Sequence, residues 1–268
     1  PIWTYEDTIS HELAHHWFGD LVTCRSLASI FLNESFASYS HTVWNGHING
    51  EDDLTYQRWL YLDKYLNFVA ETGTVRPLEY FRYDASGDMY TQPITYVKGA
   101  LVLHMLRQIM GDRSFYRGIS HYLHSNEFSE VDSYDFQRAM EDSSGMNLNA
   151  FFEDWIRGGG GFPDIRVSSQ WSEQRKQLDL SLDQVQADLA FENDFQLPVE
   201  VEIVTASGSE VHTVTLKGWS TIVSLPAETE PLMVNVDKGN WMVASIHHQR
   251  SLEETTRALM QADLAVAL

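Results

Sequence analysis

His11-Glu12-Leu13-Ala14-His15, with the Asn33-Glu34 that follows, is the stretch on which the reading of the chain turns. On a helix, residues four apart stand one above the other with Cβ atoms about 6 Å apart, so His11 and His15 can both reach one ion. Glu12 is rotated off that face. An acid there does not ligate; it can hold and deprotonate a water at the open fourth position of a metal. The third ligand belongs on a separate element, and Glu34 opens an apolar-periodic stretch through Phe36, Ala37 and Tyr39 that predicts a second helix. Eighteen residues lie between His15 and Glu34. That is enough chain for the first helix to end near Gly19, cross an irregular link from Cys24 to Ser29, and return with Glu34 facing the histidines. Two imidazoles and a carboxylate with one position left over are the donor set of a catalytic zinc. One Zn2+ per chain is therefore expected at His11, His15 and Glu34. Shuffled sequences of this composition yield H-E-x-x-H roughly once in thirty, so the five residues alone also admit two hydrogen-bonded histidines on a buried helix.

The longer run His11-Glu-Leu-Ala-His-His-Trp-Phe-Gly-Asp20, then Leu32-Asn-Glu-Ser-Phe-Ala-Ser-Tyr39, resembles the zinc-binding core of the aminopeptidase N family of metallopeptidases. That family's pattern is H-E-(L/I)-(A/S)-H-x-W-F-G-(N/D), with the third ligand inside L-N-E-(G/S)-F-A. Every diagnostic position is matched. Many members carry Trp pairs just before Leu-Asn-Glu, where this chain has Arg25-Ser26-Leu27 and Ile30-Phe31; the change bears on pocket shape more than on chemistry. The resemblance implies an α+β multidomain protein: a mainly helical, thermolysin-like zinc peptidase domain of the gluzincin type, a small β-sandwich, and the start of a helical tail. It also implies release of N-terminal amino acids from peptides with a free N-terminus, with Glu12 as general base.

A phenol donor beside the zinc would stabilise the oxyanion of the tetrahedral intermediate by about 3 kcal/mol. Tyr96-Val-Lys-Gly-Ala100 is similar to the family's Y-x-K-G-(A/S) segment, which assigns that role to Tyr96 by resemblance. Lys98 and Gly99 are expected to fix local packing. The family's G-x-M-E-N segment, whose acid holds the substrate amine, does not occur; Gly87-Asp-Met-Tyr90 and Gly145-Met-Asn147 are poor imitations. Taken by itself, the chain is thus expected to discriminate weakly between free and acetylated peptide ends. A zinc endopeptidase and a catalytically inactive scaffold that binds proteins through the sandwich are the alternative readings. Intact His11, Glu12, His15, Glu34 and Tyr96 argue against the second.

At 268 residues and 43% hydrophobic, the chain can bury one large core or two smaller ones. Eighteen basic against 38 acidic residues give a net charge of −20, which argues against nucleic acid or anionic membrane as a partner. The single cysteine, Cys24, excludes an intrachain disulfide and is expected to be a buried, inert thiol. No stretch reaches the roughly 18 apolar residues of a membrane span, and no basic region followed by an apolar core opens the chain. It begins at Pro1 and enters the metal helix almost at once, so it is expected to be a piece of a larger protein.

Periodicity predicts helices over 5–17, 32–45 and 51–71, with a break from Gly46 to Gly50. Thr4 with Asp7 reads as a capping box. Residues 76–87 read as a loop or short extended segment, Tyr96 opens a helix that ends at Gly111, and shorter helices are expected over 114–123, 133–142 and 148–157, capped by Asp132 or Ser133 and by Asn147. Gly158 to Gly161 reads as a hinge, after which the period changes from 3.6 to 2. Alternation at Leu178-Leu180-Leu182, Val199-Val201-Ile203, Val214-Leu216 and Leu232-Val234-Val236 predicts the strands of the sandwich. The expected domains are 1–160, catalytic; 161–245, β-sandwich; and 246–268, the start of a helical region. The histidines outside the motif, His41 among them, are expected to be structural or exposed.

Overall fold

The computed structural model describes residues 5–186, 194–250 and Thr256. The architecture is α+β, in two compact units: residues 1–161 with 240–243, and residues 162–239 with 244–268.

In the first unit, α1 (Glu6–Ala14) stops short of the expected Trp17. Beyond it the amides of Asp20, Leu21 and Val22 reach back five residues, to the carbonyls of His15, His16 and Trp17 at 2.9, 3.1 and 3.2 Å. The helix thus opens into wide turns instead of adding a turn of its own. Thr4 lies outside the described residues, and Asp7, its expected capping partner, accepts from Asn45 Nδ2 at 2.7 Å.

The link through Cys24 begins with a strand that alternation did not announce, because its partner is distant in sequence: β1 (Val22–Cys24) pairs in parallel with β2 (Ser129–Val131). Next comes α2 (Phe31–Asn49), which runs on past Asn45. Gly46 is no breaker here. A Cβ on it would stand 2.9 Å from Leu54 Cβ, so its bareness lets α2 and α3 (Glu51–Thr72) cross closely. The break itself comes at Gly50, φ 103°.

After the short α4 (Ser86–Met89), a π-helix over Gln92–Lys98 leads into α5 (Gly99–Met110), so the helix expected to open at Tyr96 begins earlier. Three more follow: α6 (Asp112–Ser125), α7 (Ser133–Ser144) and α8 (Asn149–Phe152), the last continuing as a π-helix to Arg157. Asp132 caps α7 as its sequence predicts, its carboxylate accepting from the amides of Tyr134 and Asp135 at 3.0 and 3.3 Å.

An aromatic core binds these elements together. Phe18, from the turns after α1, stacks on Phe36 of α2 with ring centroids 4.4 Å apart, and Phe36 meets Phe136 of α7 edge-on at 5.1 Å. Phe136 in turn packs on Tyr122 and Phe152, each at 5.5 Å. Phe36 lies two residues past Glu34, so this core fixes the carboxylate's helix against the segment that carries His15.

Within the glycine run, Gly160 is closely packed. Gly160 has φ 77° and a Cβ on it would overlap the Arg76 carbonyl, which restricts the position to glycine. Its own carbonyl accepts from Lys98 Nζ at 2.6 Å and Tyr65 Oη at 3.3 Å. Lys98 is wholly buried, and burial, reinforced by the Arg76 charge, pulls its pKa down to about 7. In the unfolded chain the amine returns to its ordinary 10.5. Between those values the unfolded state holds the extra proton, so stability rises with pH across that window. Relative to Lys98→Met, the wild type is expected to gain up to about 1.4 kcal/mol per pH unit there. Urea unfolding of both proteins at several pH values reads this, and a flat difference would contradict it.

The second unit holds β3 (Asp164–Ser172), β4 (Gln177–Gln184), β5 (Leu197–Thr205), β6 (Gly208–Leu216), β7 (Ser220–Pro226), β8 (Met233–Val236) and β9 (Ser245–His248). They form one sheet in the order β7-β4-β3-β9 and another in the order β6-β5-β8. The alternating residues Leu178, Leu180, Leu182, Val199, Val201, Ile203, Val214 and Leu216 are all buried. Both edges of the larger sheet went unread in the sequence: Ile222 of β7 is 74% exposed, and β9 carries one apolar residue. Residues 246–248, assigned to the helical tail, are therefore strand, with Ile246 set opposite Ile165 in a parallel pair. The rest of that tail, apart from Thr256, lies outside the described residues. No helix among the described residues is long and apolar enough to cross a membrane.

Candidate metal centre

His11 stands in the last turn of α1, His15 caps it, and Glu34 lies in the first turn of α2. Glu34 Oε2 is 3.3 Å from His11 Nε2 and 3.4 Å from His15 Nε2. All three ligand atoms fall within 4.8 Å of one another. Ligands held at 2.0–2.1 Å by a tetrahedral zinc stand about 3.3–3.4 Å apart, so both N···O contacts have the length of a tetrahedron's edge. Donor types and spacing together fit that ion. His15 Nδ1 lies 3.0 Å from the Phe18 carbonyl oxygen. As the donor to that carbonyl, Nδ1 carries the proton and Nε2 offers its lone pair to the cluster. Glu12 is exposed and outside the cluster.

Tyr96 arrives on the π-helix, its ring stacked 6.0 Å from that of His11 and its hydroxyl within electrostatic reach of Glu34. Burial, then the charge of Glu34, with smaller shares from Tyr90 and Glu12, pushes the phenol's pKa up, so it stays a donor. A bound dication would offset the Glu34 share and leave burial to do the same. The wide π turn is tied down beside Tyr96: Ser35 Oγ donates to the Thr95 carbonyl at 2.6 Å. Gly99 makes that approach possible, since a Cβ on it would overlap Ser35 Oγ. Lys98 and Gly99 thus fix packing, as their neighbourhood in the sequence predicts, and Ser35 joins the residue after Glu34 to the residue before Tyr96.

The peptidase family M1 domain pattern matches residues 3–155, more than half of the chain. The chain belongs to peptidase family M1. Among its relatives, "Probable aminopeptidase 2" of Sulfurisphaera tokodaii is 27% identical over 241 residues, covering 86% of this chain and 29% of that one. "Tricorn protease-interacting factor F2" of Thermoplasma volcanium is 31% identical over 214 residues, 75% of this chain and 25% of its own. Among solved structures, the crystal structure of Legionella pneumophila aminopeptidase A in complex with aspartic acid shares the fold, with a TM-score of 0.76 at 20% identity, over 96% of this chain and 28% of that one. This M1 chain spans under a third of the length of each.

Within the M1 domain two residues near the centre went unread in the sequence. Tyr90 has its pKa raised by burial, then by Glu34 and Cys24, so a second phenol feels the charge of the same carboxylate. It belongs to the Gly87-Asp-Met-Tyr90 segment weighed for amine binding. The acid of that segment, Asp88, is committed elsewhere, its carboxylate accepting from the amides of Asp84 and Ala85 at 3.1 and 3.0 Å. Glu79 is likewise engaged, by the hydroxyls of Ser29 and Ser133 at 2.5 and 2.7 Å. The other unread neighbour is His41, whose ring lies 6.1 Å from that of His11. Cys24 is half-buried, and burial, with Glu34 and Glu130 adding to it, raises its pKa and keeps the thiol protonated.

Proposed function

We propose that the chain carries the zinc-binding core of an M1 aminopeptidase, which releases N-terminal amino acids from peptides. The observation that carries this reading is the convergence of His11 Nε2, His15 Nε2 and Glu34 Oε2 at the spacing of a tetrahedral site. Family membership supports a peptidase, and relatives such as the "Aminopeptidase N" of Lactococcus lactis support the exopeptidase half. On this reading the helical unit is a thermolysin-like catalytic domain and the two sheets are the layers of a β-sandwich.

Zinc held at the three residues supplies Lewis-acid polarisation of the scissile carbonyl and acidifies the attacking water. Glu12, next to His11 on α1, takes the water's proton and returns it to the departing amine. Tyr96 donates its hydroxyl to the oxygen on which negative charge develops. Ser35, through the Thr95 carbonyl, holds that tyrosine in register with Glu34.

The full-length protein, assayed on amino-acid anilides, is expected to favour free amines over their acetylated forms by about a hundredfold or more, since fixing the reacting group in place is worth several kcal/mol. Equal rates on both would make it an endopeptidase. Full zinc loading without hydrolysis would make it a scaffold.

A further inference from the structure

The two histidines of the centre are supported unequally. His15 spends Nδ1 on the Phe18 carbonyl, whereas His11 Nδ1 has no hydrogen bond among the described residues. A ligating histidine almost always gives its second nitrogen to an acceptor, which fixes its tautomer and the plane of its ring. Three rings flank His11: His15 at 4.9 Å, Tyr96 at 6.0 Å and His41 at 6.1 Å. Both nitrogens of His15 are used, and the Tyr96 hydroxyl is given to the oxyanion in the reading above. Asp7, one turn before His11, has Oδ1 engaged by Asn45.

Of these groups, His41 is the one with a buried polar atom left unpaired. It sits on α2, seven residues after Glu34, with Nε2 2.7 Å from Tyr61 Oη. Its Nδ1 is buried without a hydrogen-bond partner among the described residues, and a buried polar atom left so costs free energy until it is paired. We infer that His41 is the positioning residue of His11: Nε2–H donates to Tyr61, and Nδ1 accepts from His11 Nδ1–H, directly or through one water. The inference rests on the zinc reading above. It adds that the outer partner of this ligand is a neutral ring, which holds the imidazole in place without adding negative charge to the centre.

The test is zinc affinity by competition with a chelator, together with thermal unfolding of the zinc-free protein, for wild type, His41→Leu and His41→Gln. His41→Leu is expected to bind zinc about 10- to 100-fold more weakly, and loss of the bond to Tyr61 is expected to lower the zinc-free unfolding temperature as well. His41→Gln, whose amide oxygen can accept in place of Nδ1, is expected to recover most of the affinity. The glutamine variant therefore decides: near wild-type affinity supports the role, and a loss equal to that of leucine overturns it. Unchanged affinity in His41→Leu overturns the role and leaves the zinc site standing. A wild type that binds no zinc brings down both.

Discussion

Glu34→Ala is expected to leave the protein without zinc at low free metal. The two imidazoles that remain come from one end of one helix and no longer enclose the ion from a second element. Zinc in protein sites is held by about 10–16 kcal/mol in all, so losing one donor of three costs roughly 3 kcal/mol or more, upwards of a hundredfold in affinity. Alanine keeps α2 intact, because the position lies inside a long helix whose hold on the core comes from Phe36 and its aromatic neighbours. The zinc-free fold should therefore persist, and the loss should appear as metal content measured after dialysis against a weak chelator. A Glu34→Ala protein with a full equivalent of zinc would remove Glu34 from the ligand set.

Glu12→Gln separates binding from chemistry. The side chain is exposed and outside the ligand cluster, and glutamine matches its shape while giving up the base. Zinc content should match the wild type, while hydrolysis of an anilide falls by about 10²- to 10⁴-fold. Tyr96→Phe should lower turnover by about 10²-fold with little change in KM, since its hydroxyl acts on charge that develops only in the transition state. Hydrolysis by Glu12→Gln at the wild-type rate would end the general-base role.

What the sequence made legible was whatever depends on local period and spacing. His11, His15 and Glu34 could be placed on two helices because the chain between them is just long enough to turn back, and Leu178, Leu180 and Leu182 declared their strand by alternation. The misses share a cause, which is that a distant partner decided them. Gly46 reads as a break until Leu54 is known to pack on it, and Gly160 reads as one more glycine of its run until Lys98, Tyr65 and Arg76 are seen to close on it. Val22–Cys24 becomes a strand only because residues 129–131 lie alongside. His41, one of nine histidines outside the motif, is singled out by where α2 sets it against α1. An exposed apolar patch was equally hidden: Ile9 and Leu13 of α1 and Trp17 just beyond it point to solvent, with Trp44 of α2 beside them.

On the proposed reading, zinc is held by two imidazoles and a carboxylate. Zinc-edge X-ray absorption on the metal-loaded protein reads that ligand set. The expected first shell holds only nitrogen and oxygen at about 2.0–2.1 Å, with the outer-shell scattering of two imidazole rings. Cys24 is close enough for Glu34 to raise its pKa, so it is the rival ligand. A sulfur scatterer at about 2.3 Å, or a shell with one imidazole or none, would contradict the assignment of His11, His15 and Glu34.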